Sequence, residues 1–324
     1  MAISRRRAIA LTAGAFAASG LPATAQTGDW PSRPLRVIVG FPAGSGADIL
    51  CRWFARKLEE VSGQTVVVEN RPGATANIAA GTVAKSKPDG YTILFAANSN
   101  MAGSRFLFKD LGFDTIKDFD PVGLFSDSAF VLTVAPQSPV KSVAELTELL
   151  RAKPRSLYGY ANQMSLVTSE YYKTLTGLKT APVAYKNGPD AVADLASGAL
   201  DFIILDGTFA SGQVRAGRLR ALAVTTAERL ASMPDVPTMQ EAGLKGFVFS
   251  AWWGAYLPAG TPAPIVEKLA GWLNQASSGE DARKFMESIA GFVLRDGPAA
   301  TRARLNAELE VWAKIVAAAG LKPE

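Results

Sequence analysis

The chain has 324 residues, no histidine and one cysteine, with 34 basic against 29 acidic residues. The missing histidine excludes a Ser-His-Asp triad, a Cys-His pair and a histidine metal site, and the lone Cys51 excludes an intrachain disulfide. Arg5, Arg6 and Arg7 are the only charged residues before Asp29. Without them 31 basic residues face 29 acidic ones, and no basic stripe interleaves with aromatics, so nucleic acid is not an expected partner.

Ser4-Arg5-Arg6-Arg7, an apolar run over 8–18 and Ala23-Thr24-Ala25 read as an export signal over residues 1–25, cut after Ala25. The run is too short to hold a membrane span. The Ser-Arg-Arg start resembles a twin-arginine export signal, with the general secretory route as the alternative, and the expected location is the periplasm. Residues 37–40 are β-branched and apolar and predict a buried strand. Pro42-Ala43-Gly44-Ser45-Gly46 is a turn. From Asp48 onward Ile49, Leu50, Trp53, Phe54, Leu58 and Val61 recur at helical spacing.

A strand, a glycine turn and a helix start place main-chain N–H groups at the positive end of a helix dipole, where an anion is favoured. A plain tight turn, with Asp48 as the helix N-cap, fits the same residues.

Residues 65–69 predict a second strand, 74–85 a small-residue helix and 92–96 a third strand. This βαβαβ order implies a parallel sheet covered by helices, with ligands at the carboxyl ends of its strands. Residues 113–124 read as loop, and Asp114, Asp118 and Asp120 as caps or turns, since their spacing fits no calcium loop. A second series follows: strands at 130–135, 157–160, 182–185, 202–205 and 220–225, with helices at 143–152 (capped by Ser142), 165–175 and 189–196. After an apolar stretch at 248–257 the chain reads as mostly helical. Its last helix, 299–319, carries Leu305, Leu309, Trp312, Ile315 and Val316 on one side. Two α/β series of similar size imply two lobes with a cleft between them.

Ser45 lacks the spacing of a nucleophile elbow, the glycines do not form G-x-G-x-x-G, and no Walker lysine follows them. Cys51 has no base beside it and reads as a small core residue. No cofactor is expected.

Several segments then become specific together. Arg33-Pro34-Leu35-Arg36-Val37-Ile38-Val39, Phe41-Pro42-Ala43-Gly44, Val66-Val67-Val68-Glu69-Asn70-Arg71-Pro72-Gly73 and Lys87-Pro88-Asp89-Gly90-Tyr91-Thr92 resemble the solute receptors of tripartite tricarboxylate transporters, the Bug family. So do Asp118-Phe119-Asp120-Pro121-Val122, Ala184-Tyr185-Lys186-Asn187-Gly188, Leu222-Ala223-Val224-Thr225, Pro234-Asp235-Val236-Pro237-Thr238, Trp253-Gly254 and Pro258-Ala259-Gly260-Thr261-Pro262. The match is collinear through nearly the whole chain after the leader.

The resemblance implies an α/β, type II-like periplasmic-binding-protein fold. Each lobe is a mostly parallel sheet flanked by helices, with lobe 1 over 26–127 plus 250–324, lobe 2 over 128–249, and hinges near 127–130 and 249–252. It implies a monomeric, non-enzymatic receptor that closes on a small organic carboxylate and delivers it to membrane permease subunits. The ligand-binding residues carried over are Phe41, Pro42, Ala43, Gly44, Ser45, Gly46, Ala47 and Asp48, with Ala97 and Asn98 after the third strand. The second lobe adds Tyr160, Asn162, Gln163, Ser165, Tyr185, Lys186, Asn187 and Asp206. Ser45 stands where the family has glycine and Ala47 where it has threonine. Asn162-Gln163-Met164-Ser165 replaces a serine- and glycine-rich turn, which implies a smaller or reshaped pocket. Two other functions fit the same chain: a receptor serving a signalling partner, and a secreted enzyme using Asp48 and Asp206.

Overall fold

The computed structural model describes residues 30–320 and residue 323, so the expected export signal at 1–25 lies outside the described residues. The first series runs β1 (Leu35–Val39), α1 (Gly46–Ser62), β2 (Val66–Asn70), α2 (Asn77–Ala84) and β3 (Thr92–Ala97). β1 lies between β2 and β3 and is parallel to both. A parallel strand covered on both faces needs an unbroken apolar run, and Leu35, Val37, Ile38 and Val39 are fully buried. Each such side chain contributes about 1.5–3 kcal/mol on burial. α1 buries Leu50, Cys51, Phe54, Ala55 and Leu58 and ends at Gly63 in the left-handed conformation. Ile49, expected on the same face, is exposed. Phe54, Phe125 and Phe95 form a chain of tilted rings 4.6 and 4.8 Å apart under the sheet.

Two expectations need correction. The helix predicted over 74–85 begins only at Asn77, because Ala74, Thr75 and Ala76 all have positive φ (45°, 52° and 69°). Such residues cost roughly 1–2 kcal/mol each. This turn presses on Gly40, where an added Cβ would meet Ala76 Cβ at 2.2 Å. The loop predicted over 113–124 and the strand over 130–135 are largely one strand, β4 (Phe119–Val134), reached through the short α3 (Ser104–Leu107). Pro121 hid it, and β4 accommodates that proline at a register shift. The C-terminal part is mostly helical, as expected, with one strand the sequence did not signal. After β9 (Ser250–Pro258) come α8 (Ala263–Ala276), α9 (Glu280–Ser288), a further strand β10 (Gly291–Asp296) and α10 (Pro298–Ala319). The three aspartates act as turn acceptors: Asp114 takes the N–H groups of Ile116 and Lys117, Asp118 that of Asp114, and Asp120 those of Gly260 and Thr261.

The second series is α4 (Val143–Ala152), β5 (Leu157–Tyr160), α5 (Gln163–Thr176), β6 (Ala181–Ala184), α6 (Gly188–Ser197), β7 (Phe202–Asp206), α7 (Gly207–Arg215) and β8 (Arg220–Val224). The strand order is β2-β1-β3-β9-β4-β7-β5-β6, with β8 and β10 also on β4. The outer pairs are parallel, as expected. The pairs through β4 and β9 are antiparallel, so the sheet is mixed. β4 pairs with β9 as far as Ala129 and with β7 from Phe130. One strand thus leaves the first series and enters the second within a single residue step, joining the two α/β halves. No helix among the described residues is long and apolar enough to cross a membrane.

Candidate functional site

Four helices start at the carboxyl ends of parallel strands, and the same device opens each. Ser45 Oγ accepts the Asp48 N–H (3.2 Å) before α1. Asn162 Oδ1 accepts the Ser165 N–H (2.8 Å) before α5. Asn187 Oδ1 accepts the Asp190 N–H (3.0 Å) before α6, and Asp206 Oδ1 the Phe209 N–H (2.9 Å) before α7. Each cap satisfies one of the orphan donors of its helix and leaves the first-turn N–H groups open. In α1 these are Gly46 and Ala47; neither has a partner among the described residues, and Gly46 is exposed.

The ends of β3 and β7 come to one stretch of β4, the first through β9. Ala97, ending β3, pairs with Trp253, which pairs with Ser126, whereas Asp206, ending β7, pairs with Phe130. Ser126 and Phe130 are four residues apart, about 13 Å along a strand. Phe41 and Trp253 meet at 5.2 Å on the first side. On the second, Gly188 lies under the Phe209 ring, where an added Cβ would approach to 2.8 Å.

Asp48 is neither the N-cap nor open to a ligand. It sits three residues past the cap, and its carboxylate accepts from the Gly44 N–H (2.8 Å) and Asn70 Nδ2 (2.7 Å), with Arg52 Nε at 3.0 Å. This is a variant of the capping box in which the N–H of Gly44, one residue before the cap, takes the place of that of Ser45. Burial alone would raise the Asp48 carboxyl, but the hydrogen bonds from Asn70, Gly44 and Arg52 hold it below its ordinary value. Gly44 has φ +79°, which a glycine adopts freely. Asn70 also donates to the Phe41 carbonyl (3.0 Å) and accepts from Arg52 (2.7 Å). The turn 41–45 is therefore braced from behind by Asp48, Asn70 and Arg52. Phe41, Pro42, Ala43 and Gly44 present a partly or fully exposed edge of small and apolar residues.

Asn98 is fully buried and fully used. Its Nδ2 donates to the Ser250 carbonyl and to Glu308 Oε1, both at 2.8 Å, and its Oδ1 accepts the Ser99 N–H. It positions the loop after Ala97 and has no hydrogen bond left to offer. Ser165 is buried, with its hydroxyl on the Ile204 carbonyl. The Tyr185 hydroxyl donates to Asp194 (2.6 Å). What stays open in the second half is the Tyr160 hydroxyl and the exposed Lys186 ammonium, while Gln163 Oε1 is buried without a hydrogen-bond partner. Burial pushes the Asp206 carboxyl up, against the Phe209 N–H and its own main-chain N–H, which pull it down. Cys51 is fully buried and its thiol is raised well above the ordinary value by burial, so it offers no nucleophile.

Sequence reasoning missed Asn70, Arg52, Glu308 and Phe209. Only Asn70 carried a signal, as part of the Asn-Arg-Pro-Gly motif ending β2.

The profile of the tripartite tricarboxylate transporter family receptor (TctC) matches residues 50–321. The chain belongs to this receptor family. Among curated proteins it is 31% identical over 312 residues to Protein BugT of Bordetella pertussis, covering 95% of each chain. Among solved structures, the receptor is similar to Rpa4515 of R. palustris with adipate (32% identity, TM-score 0.79, covering 91% of this chain and 100% of that one). It is also similar to MatC of Rhodopseudomonas palustris with bound malate (28% identity, TM-score 0.74, covering 88% and 99%). A further neighbour is the periplasmic binding protein BugD (29% identity, TM-score 0.75, covering 91% and 100%).

Proposed function

We propose that this receptor captures a small organic carboxylate in the periplasm, between a lobe of residues 26–127 plus 250–324 and a lobe of residues 128–249, and hands it to membrane permease subunits as a monomer. The observation that carries this is the set of capped helix starts. Side chains satisfy the inner donors, and the remaining main-chain N–H groups of α1, α5, α6 and α7 form an anion site built without a fixed cationic partner. The relatives with adipate and malate bind dicarboxylates, and helix starts on both α/β series suit a ligand with an acid group at each end. Tyr160, Gln163 and Lys186 supply the side-chain contacts that select among such acids. Closure follows from greater affinity for the closed form. The enzymatic alternative loses support, because Asp48 has every hydrogen-bonding position engaged by the turn it braces.

A thermal-shift screen of four- to six-carbon dicarboxylates, aromatic acids, monocarboxylates and acidic amino acids tests the reading. A ligand of the native state at a hundred times its Kd stabilises by about 2.7 kcal/mol, so at least one acid raises the midpoint by several degrees. No shift with any acid at 10 mM would overturn the proposal.

Asp206→Asn adds a second check. Asparagine caps α7 as well as aspartate does, so stability is kept or raised at neutral pH, where the variant lacks a buried charge. The Asp206 carboxyl is raised in the fold, so its contribution is fully present below the unfolded value near 3.8 and is lost as pH rises through the folded one. The midpoint of the variant minus that of wild type therefore grows with pH between 4 and 7. For a dicarboxylate, the affinity of the variant at pH 7 equals or exceeds that of wild type, measured by calorimetry.

A further inference from the structure

Away from the four helix starts, a cavity of about 570 Å³ opens between the segment after β8 and the α8–α9–β10 region. None of its lining residues belongs to the carboxylate site. The volume falls in the range of small-molecule sites. Leu230, Pro234, Met286, Phe292 and Val293 make it mostly apolar. Its charged residues are unevenly satisfied. Arg229 is engaged by Glu241 (2.8 Å) and the Pro234 carbonyl (3.0 Å). Arg283 lies between Glu280 and Glu287 and neutralises both. Arg295 also lines the cavity, but it makes no ion pair or hydrogen bond among the described residues. Ser277 lines the same cavity, is 2% exposed, and its Oγ has no hydrogen-bond partner among the described residues. A buried hydroxyl left unpaired is destabilising, and a ligand acceptor offsets that loss.

We propose that this cavity is a second binding site, for a small amphiphilic monocarboxylate, with the carboxylate on Arg295 and the Ser277 hydroxyl and the hydrocarbon against Leu230, Met286 and Phe292. An acid group accepts from both donors at once, which an alcohol or an alkane cannot do. The apolar wall is too large for the head group alone and suits a chain of six to eight carbons. The walls come from segments on either side of the β4 crossing, so an occupant bridges the two halves of the fold.

Octanoate, below its micellar concentration, is the probe, titrated into the full chain by calorimetry with n-octanol as the uncharged control. The expected result is one octanoate bound with sub-millimolar Kd and octanol bound at least tenfold more weakly. Arg295→Glu, on an exposed side chain, weakens octanoate at least tenfold. Ser277→Ala, which removes only an unpaired hydroxyl and so keeps the fold, weakens it severalfold. Gly46→Pro, at the first residue of α1, separates the two sites: octanoate binding survives it here. Loss of octanoate binding in Gly46→Pro with none in Arg295→Glu would place the acid on the α1 amides and overturn the proposal. Absence of octanoate binding to the wild type at 5 mM would do the same.

Discussion

Glu308→Ala is expected to lower the unfolding midpoint by about 4–6 °C and to weaken carboxylate binding without removing any ligand contact. Glu308 Oε1 accepts from Asn98 Nδ2 (2.8 Å) and Trp312 Nε1 (3.1 Å), and Oε2 from Trp252 Nε1 (3.3 Å). One turn earlier on α10, Arg304 Nη2 reaches Asp127 Oδ2 at 2.6 Å, and Asp127 is the β4 partner of Trp252 on β9. Two residues of one helix thus grip both strands that cross between the halves, together with the loop after β3. Truncation leaves three N–H donors short of an acceptor in a partly buried place, which costs about 2–4 kcal/mol after allowing for the solvent that reaches Glu308. The grip sits where β4 changes partner, so its loss also frees the proposed hinge and raises the ligand Kd through the open form.

Glu308→Gln keeps one acceptor oxygen and restores much of the stability. It also has a pH signature. Burial pushes the Glu308 carboxyl up, against the hydrogen bonds from Asn98, Trp252 and Trp312 and the charge of Arg304. Asp127 is raised by burial too, with Arg304 pulling against it. A raised carboxyl contributes stability below its unfolded value near 4.5 and loses it as pH rises through the folded one. The gap between wild type and Glu308→Gln should therefore narrow from pH 4.5 upward in calorimetric scans. A gap that widens with pH would mean the ionised carboxylate is the favoured form and would sink this account of the helix.

The outer strands, the capped helices and the Phe41–Asp48 turn were legible because each depends on local pattern: unbroken β-branched runs, Ser142 before a periodic segment, glycines before a helix. The crossing was not. Pro121 and the three nearby aspartates make the start of β4 look like loop, and only its antiparallel partners β9 and β10, over a hundred residues away, make it a strand. β10 itself was lost among helices for the same reason. In the site, the sequence placed polar residues correctly at strand ends but could not say which way they turn. Ser45, Asn162, Asn187 and Asp206 turn back onto their own helices, Asn98 turns into the core toward Glu308, and Asp48 turns toward Asn70. Their partners are remote in the chain or depend on helix geometry, so residue type alone leaves them undecided. The left-handed run 74–76 was illegible because alanine and threonine rarely adopt it.

The largest effect on affinity alone is expected from Gly46→Pro. Gly46 is the first residue of α1, preceded by Ser45 at φ −70° and ψ 161°. Proline is favoured at a first helical position, and an extended residue before it is what its ring requires. An added Cβ at Gly46 meets nothing within 4 Å. The substitution therefore deletes one outward N–H and changes little else. A charge-assisted hydrogen bond to a carboxylate is worth about 1.5–3 kcal/mol, so Kd rises roughly ten- to a hundredfold while the unliganded midpoint stays within a degree or two. Gly44→Pro is the contrasting variant. Gly44 has φ +79°, which proline cannot adopt, and its N–H is already spent on Asp48. Gly44→Pro should lose both stability and binding, because it removes the brace instead of the grip. If Gly46→Pro binds the acid found in the screen as tightly as wild type, the α1 amides are not the anion site, however well the loop is built.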